Sequence, residues 1–453
     1  MKPMTKLLWK SVKQLENKNG ILYFDNYNSV ELAKKQGTPL YIYSENRIRE
    51  NYRRLVSAYT RYYPKFKVYY AIKANNNPAI INILRSEGCG ADCSCVSELM
   101  IAAEAGVSPE DTLYSGVYNS NDELRYAVDH KVKLNLEDVS QLERLEKMNE
   151  KISNVNEKMG KGVNLPTFLC FRINPGMGSS GAEGLIFAGQ DAKFGIIERD
   201  VKKAYQRAKQ LGVQRFGIHM MTGSNILTPE YFEQVVTKLL DIAGPIAREL
   251  NIRFEFIDIG GSLGVPYKPE QEEIDIDDVA RRVVSVFRKK LKQYNLGQPY
   301  LIHEPGRYLV CDAGMLLTSI TSIKHGYKTF VGVDAGMNTL LRPALYNAYH
   351  HILYANNLDA PADETVTVVG QICENTDQLA KDRLLPSTTN IMKVGDVLAL
   401  LNAGAYGFGM SSQYNTRPRA AEILVNNGRA DIIRKRENFK DLMHGVVVPK
   451  RLL

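Results

Sequence analysis

A (β/α)8 barrel followed by an all-β domain is the fold that three features of this sequence predict. Eight short apolar runs of strand length recur between residues 67 and 304, separated by stretches of helical periodicity. After Arg307 the helical period fades, and short alternating runs broken by glycine and proline take over. The glycine fingerprint of a doubly wound sheet is missing after the first strand. The expected organisation is therefore N-terminal strands over residues 1–43 that pack with the β domain, a barrel over 44–307, and a C-terminal sandwich- or barrel-like β domain over 308–453.

Taken in order, the first forty residues read as short strands and turns ending in Leu40-Tyr41-Ile42-Tyr43. Ser44 is a helix cap, and the helix it opens runs to about Thr60. Strands follow at 67–73, 90–95, 111–117, 132–137, 167–174, 214–220, 253–260 and 299–304. Helical patterns lie between them, for example Ser97 to Gly106, Asn121 to His130, Val139 to Glu150, Asp200 to Gly212 and Pro229 to Asn251. The polar, lysine-rich stretch Lys147 to Asn164 reads as a solvent loop. Beyond the barrel, strands are expected at Leu316 to Ser322, Thr329 to Val333, Glu364 to Val369, Asp396 to Leu401 and Glu422 to Val425.

Composition excludes several classes. A hydrophobic content of 44% with 24% charged residues is that of an ordinary globular protein. The net charge of +8 is scattered among acids, which argues against a nucleic-acid partner. No window approaches the roughly twenty apolar residues of a membrane span, and the start MKPMTKLLWK has no signal-peptide core. Six cysteines in so long a chain form no disulfide framework, and Cys89, Cys93, Cys95 and Cys170 lie in buried-looking sequence, so a reducing cytoplasm is expected. No metal is expected either, because Cys89, Cys93 and Cys95 lack a fourth ligand nearby.

In a barrel, ligands meet the ends of strands. Those ends are polar here: Lys73, Asp92, Asn135, Arg172 with Asn174, Thr222-Gly223-Ser224, Gly260-Gly261-Ser262 and Glu304-Pro305-Gly306-Arg307. The last two lie where barrels commonly hold phosphate, with Gly260, Gly261 and Gly306 baring backbone amides and Arg307 adding a guanidinium. A lysine on an apolar strand, desolvated and so lowered in pKa, is a candidate Schiff-base amine. Phosphate anchor, Lys73 and Glu304 together are what pyridoxal phosphate requires. Gly176-Met177-Gly178-Ser179-Ser180-Gly181 matches G-x-G-x-x-G, but no helix opens at Gly181, so it reads as a glycine loop.

The motifs YYAIKAN at Lys73, RINPG at Arg172, DAKFG at Lys193, DIGGS at Asp258, EPGR at Glu304, RPALY at Arg342, CENTD at Cys373 and GAYGFGMSSQYNTRPR from Gly404 stand in the order of a known family. The chain resembles the fold type III pyridoxal-phosphate decarboxylases over nearly its whole length, and most closely the diaminopimelate decarboxylases. The resemblance implies that Lys73 carries the cofactor, that Glu304 holds its ring nitrogen protonated, and that Ser224, Gly261, Gly306 and Tyr406 contact its phosphate. It implies a substrate carboxylate on Arg307, Arg342 and Tyr346, with Cys373 and Glu374 near the reacting carbon and the distal amino-acid group. These last two would come from the partner of a homodimer.

The expected reaction is decarboxylation of meso-2,6-diaminopimelate to L-lysine, with Cys373 or Lys73 returning a proton. Glu374, where ornithine decarboxylases carry aspartate, favours that substrate over ornithine, lysine or carboxynorspermidine. A catalytically impaired regulatory homologue is the more distant alternative. Three departures from the family pattern stand out. Met221 replaces the histidine that stacks on the cofactor ring. Ser262 replaces the third glycine of a triplet, where its Cβ would crowd the phosphate loop or its hydroxyl add a bond. Cys95-Val96-Ser97 replaces Ser-Gly-Gly.

Overall fold

The structure, a computed structural model, describes residues 14–156, 166–180 and 187–452. Contacts divide the chain into two compact units, one of residues 49–265 and 273–309 and the other of residues 1–48, 266–272 and 310–453.

The first unit is the barrel. Its strands are Phe66–Ala71, Gly90–Cys93, Thr112–Tyr114, Lys133–Leu136, Phe168–Asn174, Arg215–His219, Phe254–Asp258 and Tyr300–His303. Each pairs in parallel with the next, and the eighth returns to the first through Leu301–Phe66, Ile302–Lys67 and His303–Val68. Closure leaves no edge. The lumen is packed by Tyr69, Leu113, Phe168, Cys170, Phe256 and Ile302. Glycine makes room for the two largest interior rings. A Cβ at Gly90 would lie 2.3 Å from the Tyr69 ring, and one at Gly217 2.4 Å from the Phe256 ring.

Helices connect the strands where the sequence periodicity places them, and local chemistry fixes their starts. Ser44 Oγ accepts from the Arg47 N–H as the helix Glu45–Tyr62 begins. Asn77 caps Pro78–Ser86, and Ser120 with Glu123 forms a capping box on Asn121–Asp129. A loop is not what begins at Lys147: the helix Val139–Asn156, anchored by the buried Leu142 and Leu145 in its earlier turns, runs on through the first part of that stretch. The rest of that stretch, and residues 181–186 of the glycine loop, lie outside the described residues. The described part of that loop is extended, with Ser179–Ser180 parallel to Gly223–Ser224.

The second unit is built on a mixed sheet. Gly314–His325, its longest strand, pairs antiparallel with Thr329–Val333, Val397–Leu400 and Leu40–Ser44. Leu40–Ser44 is buried along its whole length and lies between that strand and Ala421–Asn426, with which it runs parallel. Leu22, Phe24, Leu40, Ile42, Leu317, Leu353, Ala399 and Ile423 share one apolar core. One N-terminal element departs from the sequence expectation of strands and turns: Ser29–Gln36 is a helix. Asn28 Oδ1 accepts from the Val30 and Glu31 amides, and Val30, Leu32 and Ala33 are buried. The Asn-Ser-Val-Glu cap was its signal in the sequence.

Candidate active site

The polar strand ends of the barrel meet at one rim. Lys73 does not end a strand as expected, because the strand stops at Ala71 and Lys73 sits in a single 3-10 turn, Ile72–Ala74. Nor is it desolvated: its side chain is 45% exposed, and Nζ lies 3.0 Å from Asp92 Oδ2. An exposed amine tethered to a buried carboxylate is fixed in direction yet reachable from the rim. Asp92 is paired across the sheet to Ala71. Burial raises its carboxyl pKa, nearby Glu304 adds to that, and Lys73 opposes both.

Glu304, one residue past the eighth strand, is buried, with Oε2 3.1 Å from His219 Nε2. Burial alone would raise its pKa, but His219 and Lys73 outweigh burial and hold it down at about 2. Asp258 beside it is shifted the opposite way, well above the usual carboxylate range, by burial and then by the Glu304 charge. Two adjacent buried carboxyl groups thus divide their charge, with Glu304 the anion and Asp258 the acid. His219, Asp258 and Glu304 bring their polar atoms within 4.8 Å of one another. His219 and Asp258 are site residues that went unassigned in the sequence, although the strand-end criterion applied to them. Each is the last residue of its strand.

Three loops carry the residues expected to hold an anion. Gly260 has φ +68° and its N–H donates to Asp258 Oδ1 at 2.8 Å. A Cβ on Gly261 would fall 2.5 Å from the Glu304 carbonyl. Arg307 is buried and donates to Ser224 Oγ at 3.2 Å. Ser262 takes a glycine-like φ of +65°, and its hydroxyl donates to the Gly223 carbonyl at 3.0 Å. Of the two outcomes foreseen for this substitution, the added bond is the one observed. Met221 folds onto the same loop, its sulfur 3.2 Å from the Gly261 N–H. Arg172, at the fifth strand end, is paired with Glu137 at 2.9 Å and stacked on Phe194 at 4.3 Å.

Residues 46–311 match the family described as pyridoxal-dependent decarboxylase, pyridoxal binding domain. The chain is 47% identical to a diaminopimelate decarboxylase of Methanothermobacter thermautotrophicus over 96% of its own length and 98% of that protein. It belongs to the diaminopimelate decarboxylase family. A second member, from Archaeoglobus fulgidus, is 37% identical over 96% of this chain and 99% of its own. The crystal structure of diaminopimelate decarboxylase from M. jannaschii superposes with a TM-score of 0.86 at 33% identity, covering 97% of this chain and 99% of that one. The fold is accordingly the fold type III barrel with its β domain.

The cofactor of this decarboxylase is pyridoxal phosphate, and the rim fits it. Glu304 Oε1 is buried without a donor among the described residues, the condition of a carboxylate awaiting a ring N–H.

The other predicted residues lie in the β unit. Arg342 opens the short helix Arg342–Tyr346 and is buried, its guanidinium 4.8 Å from the centre of the Tyr267 ring. It donates to His350 Nε2 at 3.0 Å, while His350 Nδ1 donates to the Leu401 carbonyl at 2.8 Å. Tyr346 is half-buried at the end of that helix, and Tyr406 has φ +56°. Cys373 is an exposed thiol whose backbone N–H donates to Asn415 Oδ1 at 2.6 Å. Glu374 is exposed and accepts from the Tyr414 hydroxyl at 2.7 Å. Of the cysteines expected in buried strands, Cys95 instead begins the helix Val96–Glu104 and is half-buried. Among the described residues no helix is long and apolar enough to cross a membrane.

Proposed function

We propose that this protein decarboxylates meso-2,6-diaminopimelate to L-lysine and CO2, as a cytoplasmic homodimer. The observation that carries this reading is Glu304, a buried anion with an open oxygen, at the rim that also presents Lys73. A relative from M. jannaschii, 32% identical with a TM-score of 0.85, has been solved in complex with L-lysine, the product of this reaction.

Pyridoxal phosphate, when bound, supplies a sink for the electron pair left as CO2 departs. The chain supplies the rest. Lys73 is the amine that holds the cofactor aldehyde, and its ion pair with Asp92 directs it. Glu304 accepts the ring N–H and keeps that nitrogen charged. Ser224, Gly260, Gly261, Ser262, Gly306 and Arg307 would receive the phosphate, and Met221 would pack on the ring as a thioether in place of a histidine. Arg172, held by Glu137, borders the cofactor. Arg307 would grip the retained carboxylate, a bidentate task for which guanidinium is shaped. Cys373 returns a proton to the α-carbon, and Glu374 recognises the distal amino-acid group, both acting in the partner's barrel.

Release of CO2 from meso-diaminopimelate, lysine, ornithine and carboxynorspermidine tests the assignment. Turnover of the first at a kcat/KM at least a hundredfold above the others is the expected result. Preference for a substrate without a second carboxylate would replace it with a sister decarboxylase. A colourless protein that cannot be reconstituted with the cofactor would point to a non-catalytic homologue.

A further inference from the structure

One polar strand end takes no part in this scheme. Asn135 lies on the fourth barrel strand, Lys133–Leu136, and is buried. Its Nδ2 is 2.8 Å from His219 Nδ1 and 3.2 Å from Ser115 Oγ. His219, equally buried, presents its other nitrogen to Glu304 at 3.1 Å. Three buried side chains from three strands thus form one line ending on the carboxylate.

A neutral imidazole carries one proton, and which nitrogen holds it is decided by the partner of the other. An amide NH2 group only donates. Opposite it, Nδ1 must accept, so the ring proton sits on Nε2, the nitrogen 3.1 Å from Glu304 Oε2. The reverse tautomer would turn a lone pair toward the anion. The other titratable groups that face Glu304 are Asp258, Asp92, Lys73, His303 and Cys170. Asp258 is the neutral acid described above and donates to Glu304, Asp92 would repel it when charged, the His303 nitrogens are taken by the Gly260 carbonyl and the Tyr59 hydroxyl, and Lys73 is half exposed. His219 is therefore a buried donor that, with Asp258, favours the anion, and its orientation depends on Asn135.

We propose that Asn135 is a positioning residue: it fixes the His219 tautomer so that Nε2–H donates to Glu304, leaving Glu304 an anionic acceptor for the cofactor's ring nitrogen. This rests on the role given to Glu304 above. Asn135 touches neither substrate nor cofactor in this account and acts only through His219.

The test is a double-mutant cycle in the holoenzyme between Asn135→Leu and His219→Gln, since a glutamine amide can donate to Glu304 and has no tautomer to lose. kcat, KM, the visible absorption of the bound cofactor and the thermal midpoint are read for each variant, with Asn135→Ser in reserve should the leucine variant fail to fold. Asn135→Leu is expected to lower kcat about tenfold or more, leave KM within about twofold and move the absorption band. In the His219→Gln background the same change is expected to alter kcat less than about twofold.

An equal loss in both backgrounds, or a lowered midpoint with unchanged kcat and absorption, overturns the proposal. Glu304→Gln separates the two levels. If it leaves absorption and rate as in the parent protein, the role of Glu304 itself is wrong. If it abolishes the rate while Asn135→Leu changes nothing, only the tautomer assignment is wrong.

Discussion

Lys73 is the residue on which the proposed chemistry turns, and its surroundings differ from those a buried strand would have given it. The amine is kept in place by charge, through Asp92, and not by removal from water. Lys73→Ala is expected to abolish turnover and to leave no cofactor fixed to the protein after borohydride treatment, which mass spectrometry of the intact chain would show. Asp92→Asn is expected to lower activity about tenfold while the cofactor can still be fixed, because the lysine remains but loses its direction. His303 makes a separate prediction about pH. It is fully buried between the Gly260 carbonyl, at 2.8 Å from Nδ1, and the Tyr59 hydroxyl, at 3.0 Å from Nε2, and burial lowers its pKa to about 4. Its folded value lies below the unfolded one, so on acidification the unfolded chain takes up the proton first. Stability is full above the unfolded value near 6.5 and falls as pH drops toward about 4. At pH 5 the loss from this one group is about 2 kcal/mol. Urea midpoints at pH 7 and pH 5 should differ accordingly, and His303→Gln should reduce the difference.

At the scale of elements, the loop after the seventh strand shows how a substitution is absorbed. Ser262 stands in the left-handed region and repays part of that strain through its bond to the Gly223 carbonyl. Ser262→Gly removes strain and bond together, so its effect on stability is expected within about 0.5 kcal/mol of zero. Ser262→Ala keeps the strain and strips a buried carbonyl of its donor, for an expected loss of about 1–2 kcal/mol, readable in chemical denaturation. Met221, from the loop after the sixth strand, packs against the same loop. Met221→Ala removes the thioether from both the Gly261 amide and the proposed ring face, and cofactor affinity is expected to fall about tenfold. Much of this was legible in the sequence. The eight strands were readable because most are short apolar runs rich in β-branched or aromatic residues and recur between helical stretches, and the site because barrels display their strand ends. Strand-end polarity named Asp92, Asn135 and Glu304, yet it gave no means of ranking His219 or Asp258, whose importance comes from distances across the barrel. The 3-10 turn that carries Lys73 escaped for a related reason. One turn has no periodicity to detect, and Ile72 continues the apolar run as a strand residue would.

For the whole molecule, the β unit is assembled from both ends of the chain. Leu40–Ser44 is an interior strand of a sheet whose other members come mainly from residues beyond 310. A fragment of residues 308–453 therefore lacks a central strand and exposes two unpaired edges where the intact sheet has none. It is expected to aggregate or to show no dispersed amide spectrum on its own, and a synthetic peptide of residues 14–48 should restore order to it. The buried pair of Arg47 with Asp312 in the same unit gives a second handle, since Arg47→Ala removes the guanidinium 2.6 Å from that carboxylate and is expected to cost about 3–5 kcal/mol.

That placement also bears on how the polypeptide emerges during synthesis. Leu40–Ser44 leaves the ribosome early, while its neighbours Gly314–His325 and Ala421–Asn426 appear only after the last barrel strand has been made. At translation speeds of roughly 5–20 residues per second, an apolar pentapeptide with free backbone groups waits many seconds for partners. The sheet of the β unit therefore closes only after the last barrel strand has been made, and until then Leu40–Ser44 is an apolar segment that a chaperone can hold.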